Sequence, residues 1–278
     1  MGHLIKKRNT IKSIKATMKN YNNKSRLFIS LGLGTVISVS ILLFSFTNKK
    51  RARVLVFSKT TGYFHESIPV GNSAIVKLGK ENGFDVDTTK DSKVFNEDNL
   101  EKYAAIVFLS TTEGKEDLLD EKQKKAFVQY IHDGGGWVGI HAATDAGYRW
   151  PWYTKLSGAL FLSHPAQQNA SIKVEDRTHP STLYLPQTWV RFDEWYNFKN
   201  IDKNLNVVLS IDEKSYSGGV NGNNHPMAWY HSFEGGRSFY TELGHTDASY
   251  SDPMYLKHVL GGIRYAMDQN ETSRGNSN

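Results

Sequence analysis

The chain has 278 residues, ten histidines, 12% aromatic residues and no cysteine, which excludes disulfides and thiolate chemistry and leaves room for one sizeable domain with appendages. Its net charge of +6 is unevenly placed: twelve Lys and Arg residues and no acid lie in residues 1–53, so the remainder stands at −6. That acidic part lacks the basic face a phosphate backbone requires, and nucleic acid is not expected as a partner.

Residues 1–26 are basic and asparagine-rich without apolar periodicity, and read as a solvated cytoplasmic tail. Residues 27–46 (LFISLGLGTVISVSILLFSF) carry no charge. Twenty helical residues at about 1.5 Å each reach about 30 Å, the thickness of bilayer hydrocarbon. A cleaved signal peptide is the competing reading, but its apolar core runs only about 7–15 residues and ends in an Ala-x-Ala-like site, which this chain lacks. The segment is expected to be a single-pass signal anchor whose partner is the lipid bilayer. Eight basic residues precede it and four follow closely, which puts the N-terminus in the cytoplasm and the main domain, residues 53–268, outside. Residues 269–278 read as a disordered tail.

Within the main domain, residues 53–57 (RVLVF) form a buried first strand that ends in a polar loop. Ser67 and Pro69 suit the opening of a helix with Ala74, Ile75 and Leu78 inward and Gly83 as its stop. Residues 84–87 give a second strand, residues 97–103 a short helix, and residues 105–109 (AIVFL) a third strand ending in Ser110, Thr111 and Thr112. Asp120 caps a helix that carries Ala126, Phe127, Tyr130 and Ile131 at helical spacing. Glycines 134–136 then stop that helix with a left-handed residue, and a short strand follows. Val138 and Ile140 lie on one of its faces, and Trp137, Gly139 and His141 on the other. This alternation of strands and helices predicts an α/β fold with a doubly wound parallel sheet.

Past Asp145 the pattern becomes β-rich. Residues 150–156 suggest a short aromatic helix or lid, and strands are expected at 171–174, 189–198, 207–211, 227–233 and 237–243. The glycine and asparagine loop at 217–224 either covers a site or connects strands. The last helix places Leu256, Val259, Leu260, Ile263 and Met267 on one core face.

Ligands in open α/β sheets bind at the carboxyl ends of the strands. Those ends offer Lys59 and His65, then Thr111 and Thr112, then His141 and Asp145, and the second half supplies His164, Glu194 and His245. Alternation puts Glu194 on one face with Val190, Phe192, Tyr196 and Phe198. A carboxylate there needs a cation, a metal or hydrogen-bond donors, a structural salt bridge being the plainer alternative. His141 likewise is either a functional group or a buried histidine holding a turn. Histidines with a carboxylate are the ligand types of a catalytic divalent ion, zinc foremost, although their scattered spacing forms no diagnostic motif. The metal set read here is His141, His164, Glu194 and His245, and the acid–base set is His141, Glu194, His65 and Asp145. Substrate contacts are expected from Lys59, Thr111, Thr112, Trp152, Tyr196 and Trp229, where rings would face sugars unless they serve only as core. His132 and His258 read as structural, and His179 and His225, each before a proline, as turn residues. There is no GxSxG elbow and no glycine-rich turn from strand to helix, so neither a serine hydrolase of that type nor a nucleotide or flavin is expected.

In order, residues 54–67 (VLVFSKTTGYFHES), GGGWVGIHAATD, WPWY, SHP, DEWYNF, SYSGG, HPMAW and ELGHTDASY resemble the ThuA-like (trehalose-utilisation) family from about Arg53 to Met267. The resemblance implies a class I glutamine-amidotransferase-like fold, a flavodoxin-like variant. True amidotransferases carry a cysteine nucleophile at the elbow that is Gly139-Ile140-His141-Ala142-Ala143 here, so glutaminase chemistry is excluded. The family is associated with carbohydrate catabolism, including disaccharides oxidised at a ring carbon, and the anchor is a departure from its cytoplasmic members. Two functions follow: an outward-facing enzyme hydrolysing, isomerising or eliminating a sugar or keto-sugar, with or without a metal, or a non-catalytic carbohydrate-binding or assembly module. The enzyme reading requires distant imidazoles and one buried acid to meet in one pocket.

Overall fold

Apolar runs without alternation build strands covered on both faces: β1 (Arg53–Phe57), β3 (Ala105–Leu109) and β4 (Gly136–Ile140), with the more polar β2 (Asp85–Thr89) beside β1. The computed structural model describes residues 51–267; the expected tail at 1–26, span at 27–46 and tail at 269–278 lie outside the described residues. Among the described residues no helix is long and apolar enough to cross a membrane. The connecting helices are α1 (Ile68–Asn82), α2 (Glu97–Leu100) and α3 (Glu121–His132). A full capping box opens α3, with the Asp120 carboxylate accepting from the Gln123 N–H and the Gln123 side chain accepting from the Asp120 N–H.

The second half adds α4 (Pro151–Ser157), β5 (Leu160–Ser163), β6 (Gln168–Val174), β7 (Thr188–Asp193), β8 (Asn197–Lys199), β9 (Asn206–Ile211), β10 (Pro226–Phe233), β11 (Gly236–Thr241) and α5 (Pro253–Met267). Nine strands form one sheet in the order β2-β1-β3-β4-β11-β10-β9-β6-β7, and β5 pairs with β8 separately. The first five run parallel, a 2-1-3-4-5 arrangement once β11 is counted as the fifth. From β11 outward every pairing is antiparallel. The hairpin of β10 and β11 therefore returns the chain to the side of β4, so the residues after β11 emerge next to those after β4.

Three expectations change. Residues 189–198 are not one strand: β7 stops at Asp193 and β8 starts at Asn197. Val190 and Phe192, expected on a buried face, are 62% and 49% exposed, while Trp189, Arg191 and Asp193 point inward. The buried positions of this edge strand hold an ion pair, so apolarity misassigned its faces. In α5 the covered face is Tyr255, His258, Val259, Gly262, Ile263 and Ala266, with Leu256 and Leu260 only partly covered. The helix rests so closely on the sheet that a Cβ at Gly262 would fall 2.2 Å from the Phe239 ring. The left-handed residue expected at the stop of α3 is Gly134 (φ 91°).

Gly136 has another reason to be glycine, since a Cβ there would lie 2.2 Å from the Ala266 carbonyl oxygen of α5. Overpacking of this kind costs about 1–3 kcal/mol. Gly136→Ala is expected to lower the urea midpoint by a corresponding amount while the far-UV circular dichroism stays that of the parent.

Candidate metal centre

β4 delivers His141 in a left-handed conformation (φ 52°), fully buried, at the head of a short 3-10 turn over His141–Thr144. Such a backbone costs on the order of 1 kcal/mol in a residue with a side chain, and persists because the surroundings impose it. Tyr240 donates from its hydroxyl to the His141 carbonyl at 2.6 Å. His141 Nδ1 lies 2.8 Å from the Glu242 carbonyl oxygen, which only accepts, so Nδ1 carries the proton and Nε2 presents a lone pair.

That lone pair meets two other groups. His141 Nε2 is 3.1 Å from His245 Nδ1 and 3.4 Å from Glu194 Oε2, and His245 Nδ1 is 3.2 Å from the same carboxylate oxygen. With metal–ligand bonds of about 2.1 Å, neighbouring donors stand about 3.0 Å apart in octahedral and about 3.4 Å apart in tetrahedral coordination. The triangle fits one face of either. His65 completes the group, all four ligand atoms lying within 4.8 Å of one another. The His65 ring centroid is 4.8 Å from that of His141 and 5.3 Å from that of His245, and its Nδ1 is buried with no hydrogen-bond partner among the described residues. Two histidines and a carboxylate on one face, with a third histidine beside them, form a donor set suited to zinc or ferrous iron.

His164, expected as a ligand, stands one step further out. Its ring is 44% exposed, and Nδ1 lies 3.0 Å from Glu194 Oε1, the oxygen turned away from His141 and His245. His65, expected for acid–base work, takes its place among the four.

The electrostatics are those of crowded imidazoles around one acid. Burial, followed by the neighbouring His141 and His245, pulls the His65 pKa down to about 2, so the ring is neutral at physiological pH. Burial works against the charge of Glu194, yet the nearby His141 and His245 outweigh it and hold the carboxyl well below the usual range. For His245 burial is likewise outweighed, by its bond to Glu194, and the pKa rises.

Other buried groups that the sequence reading passed over position this cluster. Asp193, fully buried, accepts the N–H groups of Glu194 and His245 on Oδ1, each at 3.1 Å. Its Oδ2 accepts from Arg191 Nη2 at 2.9 Å, the Gly244 N–H at 3.1 Å and Ser249 Oγ at 3.2 Å. The Arg191 guanidinium lies 4.6 Å from the Trp189 ring centroid and 5.1 Å from that of Tyr255. Glu242 Oε1 accepts the Tyr196 N–H at 3.1 Å. Burial first, and then the nearby charge of Asp193, push the Glu242 carboxyl well above its ordinary range. An Arg-x-Asp-Glu run at the end of a strand was the available signal for Asp193, and its even spacing places Arg191 and Asp193 on one face.

The remaining candidates divide. Tyr196 packs its ring 4.7 Å from that of His141, but it is buried rather than open to a substrate. Asp145 follows the 3-10 turn and accepts from the Tyr148 hydroxyl; burial raises its pKa against that bond. Thr111 is fully buried, and Thr112 donates to the Tyr63 carbonyl at 2.7 Å, so this strand end shapes the loop that carries His65. Lys59 is not brought to the cluster, its Nζ donating to Ser92 Oγ and the Leu118 carbonyl. Trp152 bonds Glu234, in the turn before β11 and so at the opposite end of that strand from His245. Trp229 is core, donating to the Ser157 carbonyl. The glycine and asparagine loop is tied down by Asn197, which donates to the Gly218 carbonyl and accepts from the Val220 N–H. His258 and His179 are buried, His132 pairs with Glu234 at the surface, and His225 links Glu213 to the Tyr196 carbonyl.

An α/β protein with five parallel strands at its centre and a buried His/Glu group at their carboxyl ends is the class defined by these features. The ThuA family profile, described as trehalose utilisation, matches residues 53–266, and the chain belongs to that family. A ThuA-like protein from Bacteroides uniformis is 26% identical, with a TM-score of 0.68 over 82% of this chain and 97% of that one. One from Parabacteroides merdae is 20% identical, with a TM-score of 0.65 over 79% and 91% of the two chains, and shares the fold. A β-galactosidase from Bacillus circulans sp. alkalophilus is similar in fold alone, at 12% identity and a TM-score of 0.51 over 80% of this chain and 31% of that one. No curated protein matches the sequence.

Removing Asp193 would leave three backbone donors unmatched and take from the buried Arg191 its nearer carboxylate, leaving it only Asp252 at 3.5 Å as an ion-pair partner among the described residues. Loss of one partner of a buried pair costs about 3–5 kcal/mol, and Asp193→Ala is expected to lose that much in chemical denaturation. The depressed Glu194 stabilises the fold above the unfolded carboxylate pKa of about 4.3, an effect lost as pH falls through its folded value. The raised His245 stabilises below about 6.5, an effect lost as pH rises through its folded value. In chelator-treated protein, urea midpoints taken from pH 3 to pH 9 should therefore peak between those limits, and Glu194→Gln should flatten both limbs.

Proposed function

We propose that this chain is a membrane-anchored ThuA-domain enzyme acting on a sugar or keto-sugar, with His65, His141, Glu194 and His245 holding a divalent metal, zinc first among the candidates. One observation carries this reading: three ligand-type atoms sit 3.1–3.4 Å apart at the sheet's carboxyl edge, beside a buried His65 Nδ1 that has no hydrogen-bond partner among the described residues. A bound divalent ion polarises a carbonyl or hydroxyl oxygen. The chain's own groups do the rest. His164 stands at the open side against Glu194 Oε1, and Asp145 lies within electrostatic reach of His141 and His164, so both are placed to move protons for hydrolysis, isomerisation or elimination. Tyr63, 64% exposed with its ring 4.9 Å from that of His65, offers an open apolar face for a sugar ring. The glutamine-amidotransferase-like reading of the fold makes His141 the residue at the elbow. The uncharged segment at 27–46 supports a tether that holds the domain outside the cytoplasm.

The exposed Tyr63 and Phe64 also suit the second reading, a carbohydrate-binding module without catalysis. Elemental analysis separates the two. The enzyme reading expects about one zinc or other divalent ion per freshly purified chain, lost in His141→Ala, together with turnover of some 3-keto or unmodified disaccharide in a broad panel. A protein that carries no metal, turns over none of the panel and binds sugar equally well after His141→Ala would be a binding module.

A further inference from the structure

The turn between β5 and β6 touches the cluster twice, through His164 on Glu194 and through Gln167, whose amide lies 2.8 Å from His245 Nε2. The second contact bears on how His245 can act. Its Nδ1 is the atom turned inward, toward His141 Nε2 and Glu194 Oε2. While Nδ1 carries the proton, that proton is donated inward and Nε2 accepts from the Gln167 NH₂. When Nδ1 coordinates a cation, the imidazole proton must sit on Nε2, and that N–H needs an acceptor. Among the described residues Gln167 supplies the one side chain bonded to Nε2, and a half-turn of its terminal amide replaces the NH₂ by the carbonyl oxygen. His141 has no such choice, its Nδ1–H being held on a backbone carbonyl. His245 is thus the ligand whose tautomer depends on an exchangeable side-chain partner.

We propose that Gln167 is a positioning residue that sets the tautomer of His245, accepting from Nε2–H when Nδ1 binds a divalent cation and donating to Nε2 when it does not. The inference rests on the metal reading above and goes beyond it, by assigning the loading step to an amide on the rim. Gln167 is exposed, and among the described residues its side chain makes no other hydrogen bond, so replacing it removes this contact and little else.

The test uses the full-length chain in detergent with zinc alone as the probe, its dissociation constant read by competition with a chelator. Loss of an outer partner of a metal-bound histidine weakens affinity about 10–100-fold. Gln167→Met, similar in length with no comparable acceptor, is expected to bind zinc at least about tenfold more weakly. Gln167→Glu, which offers only acceptors, should bind as tightly as the parent or more so. In zinc-loaded parent protein the His245 Nε2–H should appear as a proton resonance protected from solvent exchange, and it should lose that protection in Gln167→Met; this separates the hydrogen bond from the added charge of glutamate. Thermal midpoints of the chelator-treated proteins should agree. Parent, Met and Glu proteins that bind zinc within twofold of one another would overturn the role of Gln167 and leave the metal site standing. A Met defect that Glu does not restore would overturn the tautomer assignment, and a parent that binds no zinc would overturn both readings.

Discussion

The carboxylate of Asp193 is the point on which the centre depends. It is buried without exposure, and its two oxygens take five donors from three places in the chain: Glu194 next to it, Arg191 two residues before it, and the Gly244–Ser249 stretch after β11. A buried charge is tolerated when it is paired and its lone pairs are occupied, and this one meets both conditions. In doing so it seats the backbone of two of the four candidate ligands, Glu194 and His245, on one anchor. Glycine at 244 belongs to the same arrangement, since its φ of 114° and a Tyr255 hydroxyl 2.2 Å from any Cβ exclude a side chain.

Topology supplies the other half of the centre. Because β11 lies parallel to β4, the residues that follow the two strands leave the sheet at the same edge, and His141 and His245 meet although 104 positions separate them. His65 arrives from the loop after β1, on the same side. The antiparallel extension beyond β11 brings Glu194 back over this edge at the end of β7, where the strand breaks. Strand ends of a parallel sheet are separate in sequence and adjacent in space, which is why such edges so often carry sites.

The chemistry of the centre follows from an excess of lone pairs. His141 is fixed as an acceptor at Nε2, His65 is held neutral by burial, and Glu194 stays ionised among them. A single proton on His245 Nδ1 cannot serve both His141 and Glu194 fully, whereas a cation satisfies all the donors at once. Membership of the ThuA family accounts for the fold, and the reaction has to be argued from these atoms.

Much of the architecture was legible in the sequence, because uninterrupted apolar runs, the Asp120 capping box and the Gly83 helix stop are local signals whose physics acts over a few residues. His141, Glu194, His245 and His65 could be nominated because strand ends and polar residues in apolar surroundings can be recognised one segment at a time. Their grouping could not, and neither could the choice of His65 over His164, the placing of Lys59 and Trp152 elsewhere, or the inward turn of Arg191 and Asp193. Those depend on which strands become neighbours and where β7 breaks. Such choices are made by hydrogen bonds and ion pairs between segments dozens of residues apart, and no local pattern of hydrophobicity carries that information.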